Sequence, residues 1–304
     1  MTGHRSTPVA PGRQDRTDAD RARGRPVPHP KTEGGKAARG DPALSGRAEP
    51  HEHLHFELDG QRVPFRPGQT LIAAAARAGI DIPHLCWHPA LGPSGACRVC
   101  MVRVDGRLAA ACTTRAAAGQ RVDHRDPALD NTRRGLVQML FAEGRHFCPG
   151  CEKSGDCRLQ DAAYALDMRD PGFEAFDADR PVDASHPDVW LDLNRCILCK
   201  LCVRASREVD GKGVFAIGGH GIGTHLVVDA PSRRLGDTAL RLDDLAAHVC
   251  PVGAILPKRR GFAVPIGERP ADRRARGDPP SGTQATDGLA CGSPACEGSE
   301  HGAG

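Results

Sequence analysis

Thirteen cysteines are the residues of this chain most able to do chemistry, and eleven of them fall into three groups. The first group is Cys86, Cys97, Cys100 and Cys112, with ten, two and eleven residues between them. The second is Cys148, Cys151 and Cys157, at intervals of two and five, with His146 just upstream. The third is Cys196, Cys199 and Cys202, each two residues apart, followed after forty-seven residues by Cys250. Cys291 and Cys296 lie in a polar tail and are assigned nothing. The N-terminus carries no apolar leader, no adjacent arginine pair and no A-x-A cleavage site, so the expected compartment is the cytoplasm. There, closely spaced thiols bind metal more often than they form disulfides.

The third group carries the most specific spacing. Three thiolates two residues apart can wrap three corners of one iron–sulfur cube, and a distant cysteine followed by proline supplies the fourth. Zinc would need no such local triplet and is the plainer alternative. The first group has the logic of a two-iron site: one loop carries Cys86, Cys97 and Cys100, and the next element carries Cys112. A zinc ribbon would also accept its single C-x-x-C. The second group is short of one ligand. His146 is the nearest residue able to complete it, although a histidine beside cysteines is more often a bystander.

Elements able to position these groups can be read around them. HFELDGQRVPF predicts two short strands turning at Asp59-Gly60. GQTLIAAAARAGI has helical apolar spacing and Gly79 near its end. CMVRVDGRLAAAC predicts a second hairpin, turning at Asp105-Gly106. DNTRRGLVQMLFAEG predicts a helix that packs Leu136, Met139, Leu140 and Phe141 inward. DDLAAHVC predicts another, stopped by Pro251 so that Cys250 stands on a turn. GGHGIGTH lacks both the G-x-G-x-x-G register and a phosphate-binding lysine, and reads as a mobile turn.

Composition limits how much of the chain can fold. The aromatic residues are eight Phe, two Trp and one Tyr, all between Phe56 and Phe262. The first fifty residues hold ten Lys/Arg, six Asp/Glu and almost no large apolar side chain. Disorder is therefore expected for 1–50 and again for 263–304. A net charge of +3 implies no nucleic-acid partner, and no apolar stretch is long enough to cross a membrane. Lys258-Arg259-Arg260 reads as a solvated patch, and His51, His53 and His55 as a solvated strand edge.

PHLCWHPALGPSGACRVC, HFCPGCEKSGDCRLQ and NRCILCKLC, in that order, resemble the N-terminal iron–sulfur region of the complex I 75 kDa subunit. Several hydrogenases and formate dehydrogenases share this module. LNRCILCKLCVRASREVDGKGVF, CPVGAI and KRRGFAVPIGER are similar, within that family, to diaphorase gamma subunits of NAD-reducing bidirectional [NiFe] hydrogenases. The similarity covers about residues 52 to 270.

The resemblance implies an α+β chain. A β-grasp [2Fe–2S] ferredoxin domain (52–130) would come first. A helical [4Fe–4S] domain ligated by one histidine and three cysteines (131–170) and a further [4Fe–4S] domain (186–262) would follow. The resemblance implies that Cys86, Cys97, Cys100 and Cys112 hold the two-iron cluster. His146, Cys148, Cys151 and Cys157 would hold one four-iron cluster, and Cys196, Cys199, Cys202 and Cys250 the other. Two positions depart from the family. Its histidine usually lies four residues before the first cysteine of the second group, where this chain has Gly144. Leu201 stands where the family often has Arg.

What the resemblance implies functionally is wiring. NADH cannot pass a hydride to an iron–sulfur cluster, so FMN and NAD are expected on a partner diaphorase subunit. The nickel–iron site is expected on hydrogenase small and large subunits. This chain would relay single electrons between them and would not turn over alone. The alternative is an iron–sulfur carrier subunit of another NAD(P)H dehydrogenase or a formate dehydrogenase. No molybdopterin-type or further cysteine-rich domain is visible after the third group.

Overall fold

A computed structural model describes residues 54–176 and 179–260, with Pro265 and Glu268. The segment 1–50, nearly all of 263–304, His51, His53, Cys291 and Cys296 lie outside the described residues.

Strands β1 (His55–Leu58) and β2 (Gln61–Pro64) pair antiparallel, Phe56 opposite Val63. Their turn needs two successive left-handed residues, and Asp59 (φ 48°) and Gly60 (φ 82°) provide them. Helix α1 (Leu71–Arg77) starts where the Thr70 side chain accepts from the Ala73 amide. Strands β3 (Met101–Val104) and β4 (Arg107–Ala110) form the second expected hairpin, with Asp105 and Gly106 again left-handed. An unforeseen strand, β5 (Arg121–Asp123), inserts parallel to β1 and antiparallel to β3. The sheet order becomes β2-β1-β5-β3-β4. With α1 packed on the sheet this is a β-grasp. Phe56, Val63, Leu71, Ile72, Val102 and Val122 fill its core.

Helix α2 (Pro127–Glu143) begins three residues earlier than the expected Asp130, because Asp126 caps it and Pro127 occupies its first turn. Leu136, Leu140 and Phe141 pack against a second, larger core as expected. Met139 does not: it is an exposed side chain, and Val137 and Ala142 supply the buried stripe instead.

Beyond α2 the elements are short. They are α3 (Arg158–Ala165), β6 (Val182–Asp183), β7 (Val189–Asp192) and α4 (Leu201–Arg204), which runs on into one wider turn, Ala205–Val209. Then come β8 (Phe215–Gly218), β9 (His225–Val228), α5 (Leu245–His248) and β10 (Ile255–Pro257). Strands β10, β7 and β6 make one antiparallel sheet, and β8 with β9 a separate hairpin. The glycine-rich GGHGIGTH is the connection between β8 and β9. A Cβ on Gly219 would stand 2.1 Å from the Gly223 carbonyl oxygen, so only glycine fits there. The helix expected over DDLAAHVC is a single turn that ends before Cys250. Among the described residues no helix is long and apolar enough to cross a membrane.

Candidate metal centres

The first cysteine group converges. Cys86 lies within hydrogen-bonding reach of Cys97 and Cys112, and Cys100 within reach of Cys112. The Cys97 amide donates to Cys86 Sγ at 3.3 Å. Hydrogen bonds from Cys112 and Cys97 hold the Cys86 thiol far below the ordinary range, while the same contacts push Cys97 and Cys112 upward. The Cys112 contact lowers Cys100 as well; four thiolates this close need cations among them. Cys86 is buried with the larger core, whereas Cys100 and Cys112 belong to the β-grasp core. This group therefore joins the two.

Cys196, Cys199, Cys202 and Cys250 line one tight space of about 10 Å3, with Ile217, Leu226, Val252 and Ile255 also on its wall. Burial pushes the Cys196 thiol up to about 11 and raises Cys199 and Cys202 well above the usual range. A thiol so placed gives up its proton only to a cation that replaces the lost hydration. The backbone is shaped around this space. Leu198 and Lys200, on either side of Cys199, are left-handed at φ 52° and 64°. Arg98, inside the C-x-x-C of the first group, is left-handed too, at φ 59°. Each such residue costs about 1–3 kcal/mol and persists only where the surroundings demand it.

The second group sits at the end of α2. Cys148 begins the turn Cys148–Gly150, Cys151 ends it, and Cys157 stands at the N-terminal end of α3. The three thiols lie in electrostatic range of one another, and burial pushes Cys157 up to about 12. His146 is half-buried, edge-on to Phe141 at 5.2 Å between ring centres. Its Nε2 is buried with no hydrogen-bond partner. A buried imidazole nitrogen left bare is one a metal could take. Burial, reinforced by the Arg195 charge, lowers it to about 4 and keeps it neutral. The departure at position 144 also has a physical account. A Cβ on Gly144 would lie 2.4 Å from His146 Nε2, so the imidazole from position 146 folds back into the space a side chain at 144 would occupy.

Among the described residues no three of these donors stand together as around a bound metal ion. The thiols of the first group are in hydrogen-bonding reach, those of the third line one space, and those of the second lie in electrostatic range. His146 carries a bare, buried Nε2. The loops of the three groups approach one another. Cys199 of the third group lies in electrostatic range of Cys86 of the first. The loop after Cys250 reaches the second: the Arg158 amide donates to the Pro251 carbonyl at 3.0 Å, and a Cβ on Gly253 would stand 2.9 Å from Cys151 Sγ. Spacing within each group was legible in the sequence, but the proximity of the three groups to one another was not. Two arginines at the sites, the buried Arg133 and the half-buried Arg195, were also missed, since a charged residue in the sequence reads as surface.

Comparisons with known proteins follow the same order. The family model of a 2Fe-2S iron-sulfur cluster binding domain matches residues 51–127. That of an NADH-ubiquinone oxidoreductase-G iron-sulfur binding region matches 133–171, and that of a 4Fe-4S single cluster domain matches 189–256. The chain is 40% identical over 223 residues to the gamma chain of the NAD-reducing hydrogenase HoxS of Cupriavidus necator, covering 71% of this chain and 92% of that one. It is 30% identical over 228 residues to the mitochondrial NADH-ubiquinone oxidoreductase 78 kDa subunit of Neurospora crassa. That match takes in 72% of this chain and only 30% of the longer relative. A crystal structure of an NAD+-reducing [NiFe]-hydrogenase in the H2-reduced state holds a chain 53% identical to this one. The TM-score is 0.71, over 76% of this chain and 96% of that one.

Proposed function

The chain belongs to the family of gamma chains of NAD-reducing hydrogenases, and from that premise we propose that it relays single electrons between a flavin- and NAD-binding diaphorase subunit and a [NiFe] hydrogenase module. Each iron–sulfur cluster, when bound, supplies a one-electron site. The observation that carries the proposal is the continuity of the three donor sets, with the third group in electrostatic range of the first and its loop against the second.

In this reading Cys86, Cys97, Cys100 and Cys112 hold a [2Fe–2S] cluster. His146, Cys148, Cys151 and Cys157 hold one [4Fe–4S] cluster, and Cys196, Cys199, Cys202 and Cys250 the other. The corresponding units are 52–130, 131–170 and 186–262. The chain's own residues supply thiolates, exclude water with Ile217, Leu226, Val252 and Ile255, and keep His146 neutral by burying it. FMN, NAD and nickel belong to partner subunits, the assembly works in the cytoplasm, and this chain alone turns over neither NADH nor H2.

The test is anaerobic purification of the full chain, alone and with its partners. About ten irons with matching acid-labile sulfide are expected. The isolated chain should show no NADH oxidation with an artificial acceptor, and activity should appear when the diaphorase and hydrogenase subunits are added. Stoichiometric zinc without sulfide would overturn the relay.

A further inference from the structure

The loops of the second and third cysteine groups meet at Arg195. It immediately precedes Cys196, at the end of the turn Leu193–Arg195, yet its guanidinium points into the other group. Nη1 lies 3.5 Å from Cys151 Sγ. The side chain is only 17% exposed and is fixed from several sides. Nε meets Asp192 Oδ2 at 2.9 Å. Nη1 meets Glu152 Oε2 at 3.1 Å and the Gly253 carbonyl at 3.4 Å. The guanidinium carbon stands 5.3 Å from the centre of the Trp190 ring. Gly253 closes the arrangement: a Cβ there would meet Cys151 Sγ at 2.9 Å and Arg195 Nη1 at 3.2 Å. Sulfur, guanidinium and the backbone of the Cys250 loop are thus in mutual contact.

We propose that Arg195 sets the potential of the cluster held by Cys148, Cys151, Cys157 and His146, through a charge-assisted hydrogen bond to the Cys151 sulfur. The inference rests on the relay function above and deepens it. Hydrogen bonds to sulfur are among the levers that fix an iron–sulfur potential. An N–H donor on a ligand sulfur stabilises the reduced cluster, which carries more negative charge, over the oxidised one. Asp192 and Glu152 largely balance the guanidinium charge at a distance. What survives is the directed contact at one sulfur, so the effect is local. Arg195 raises the middle potential without raising the other two alike. It is a tuning residue and donates no ligand.

The test is Arg195→Gln in the full chain, with iron and sulfide analysis and a potentiometric titration of each cluster's EPR signal. The expected result is ten irons retained and a lowered midpoint for the middle cluster alone. Its reduced-to-oxidised ratio at the wild-type midpoint should fall at least about tenfold, about 59 mV for one electron. The other two ratios should move less than about twofold. An unmoved middle midpoint, or equal shifts of all three, would overturn the proposal. Should Arg195→Gln lose the cluster, the wild-type chain carrying 15N-guanidinium arginine decides. Pulsed EPR of the reduced middle cluster should then show a 15N coupling, and its absence overturns the assignment. Zinc without sulfide in the wild-type chain would instead remove the relay function itself, an outcome distinct from three clusters with an unmoved midpoint.

Discussion

The β-grasp lobe and the remainder of the described chain stand up by different means. In the first, five strands and α1 enclose Phe56, Leu71, Ile72, Val102 and Val122, and Cys100 and Cys112 add two small side chains to a core that is already closed. In the second, α4 and α5 have four residues each and the largest separate sheet has three strands. Cys157, Cys199 and Cys202 are themselves part of its core. Helices of one turn and isolated hairpins do not persist in water unaided. The contrast sets an expectation: the short elements of the second part, although they share the larger core, lean on ligation more than the closed sheet of the first does.

The largest expected effect tests this directly. Withholding iron, or stripping it with a chelator, removes ligation free energy on the order of 10 kcal/mol from segments whose core is built on hairpins and helices of one or two turns. Amide exchange of the iron-free chain should show protection over 189–257 falling at least about a thousandfold, while the strands 55–64 and 101–123 change by less than about tenfold. Uniform loss across both lobes would break the distinction.

A smaller effect should come from the residue that ties α2 to the two-iron loop. Arg133 is 2% exposed. It donates to the carbonyls of Val99 at 3.2 Å, Met101 at 2.8 Å and His124 at 2.8 Å, so it grips both sides of Cys100. Arg133→Met would leave two buried acceptors and a half-buried one unpaired, each buried one worth about 1–3 kcal/mol. Urea denaturation should show a loss on the order of 3 kcal/mol or more, and the two-iron EPR signal should broaden before the four-iron signals do. Unchanged stability would mean that water replaces the guanidinium.

How much of this was legible differs between the lobes for the same reason that their stability does. The hairpins at Asp59-Gly60 and Asp105-Gly106 could be read because the turn geometry demands left-handed residues that few sequences supply. Strand β5 could not: three residues paired to distant strands carry no periodicity of their own. In the second lobe the cysteine spacing announced the sites, but the elements around them are too short for apolar patterning to register. Each of Arg133 and Arg195 has an aspartate three residues before it, but that spacing reads as a surface ion pair; the distant carbonyls and the Cys151 sulfur that mark them as buried lie outside any local window.

Smaller still in stability, but sharp in spectroscopy, is the outcome at Gly144. The side chain of Gly144→Ala would meet the His146 ring at 2.4 Å. The ring must move, at little global cost because the end of α2 is near the surface. The middle cluster's EPR spectrum should change while the other two hold. His146→Cys should keep a four-iron cluster with a lower midpoint, since a thiolate adds the negative charge that a neutral imidazole lacks, and His146→Ala should push it towards a three-iron form. If all three variants leave the spectrum untouched, His146 is a neighbour and not a ligand.

The smallest expected effect lies at the chain's N-terminal side and sharpens where the self-supporting lobe begins. The hydrogen-bond ladder of the described residues starts at Leu54, whose carbonyl accepts from the Phe65 amide at 2.8 Å, and the next pair is His55 with Pro64. Composition argues that the first fifty residues bury little, holding ten basic and six acidic side chains and no aromatic ring. A chain that begins at Pro50 therefore keeps every described pairing of β1. It should show the full visible spectrum and a melting temperature within about a degree of the parent. A chain that begins at Leu58 is the informative contrast. It loses Phe56, a wholly buried ring, together with most of the strand that pairs both β2 and β5. The two-iron signal should vanish there while four-iron absorption remains. If the Pro50 chain already loses the two-iron signal, the polar extension is packing on the β-grasp sheet, and the composition argument fails at its first step.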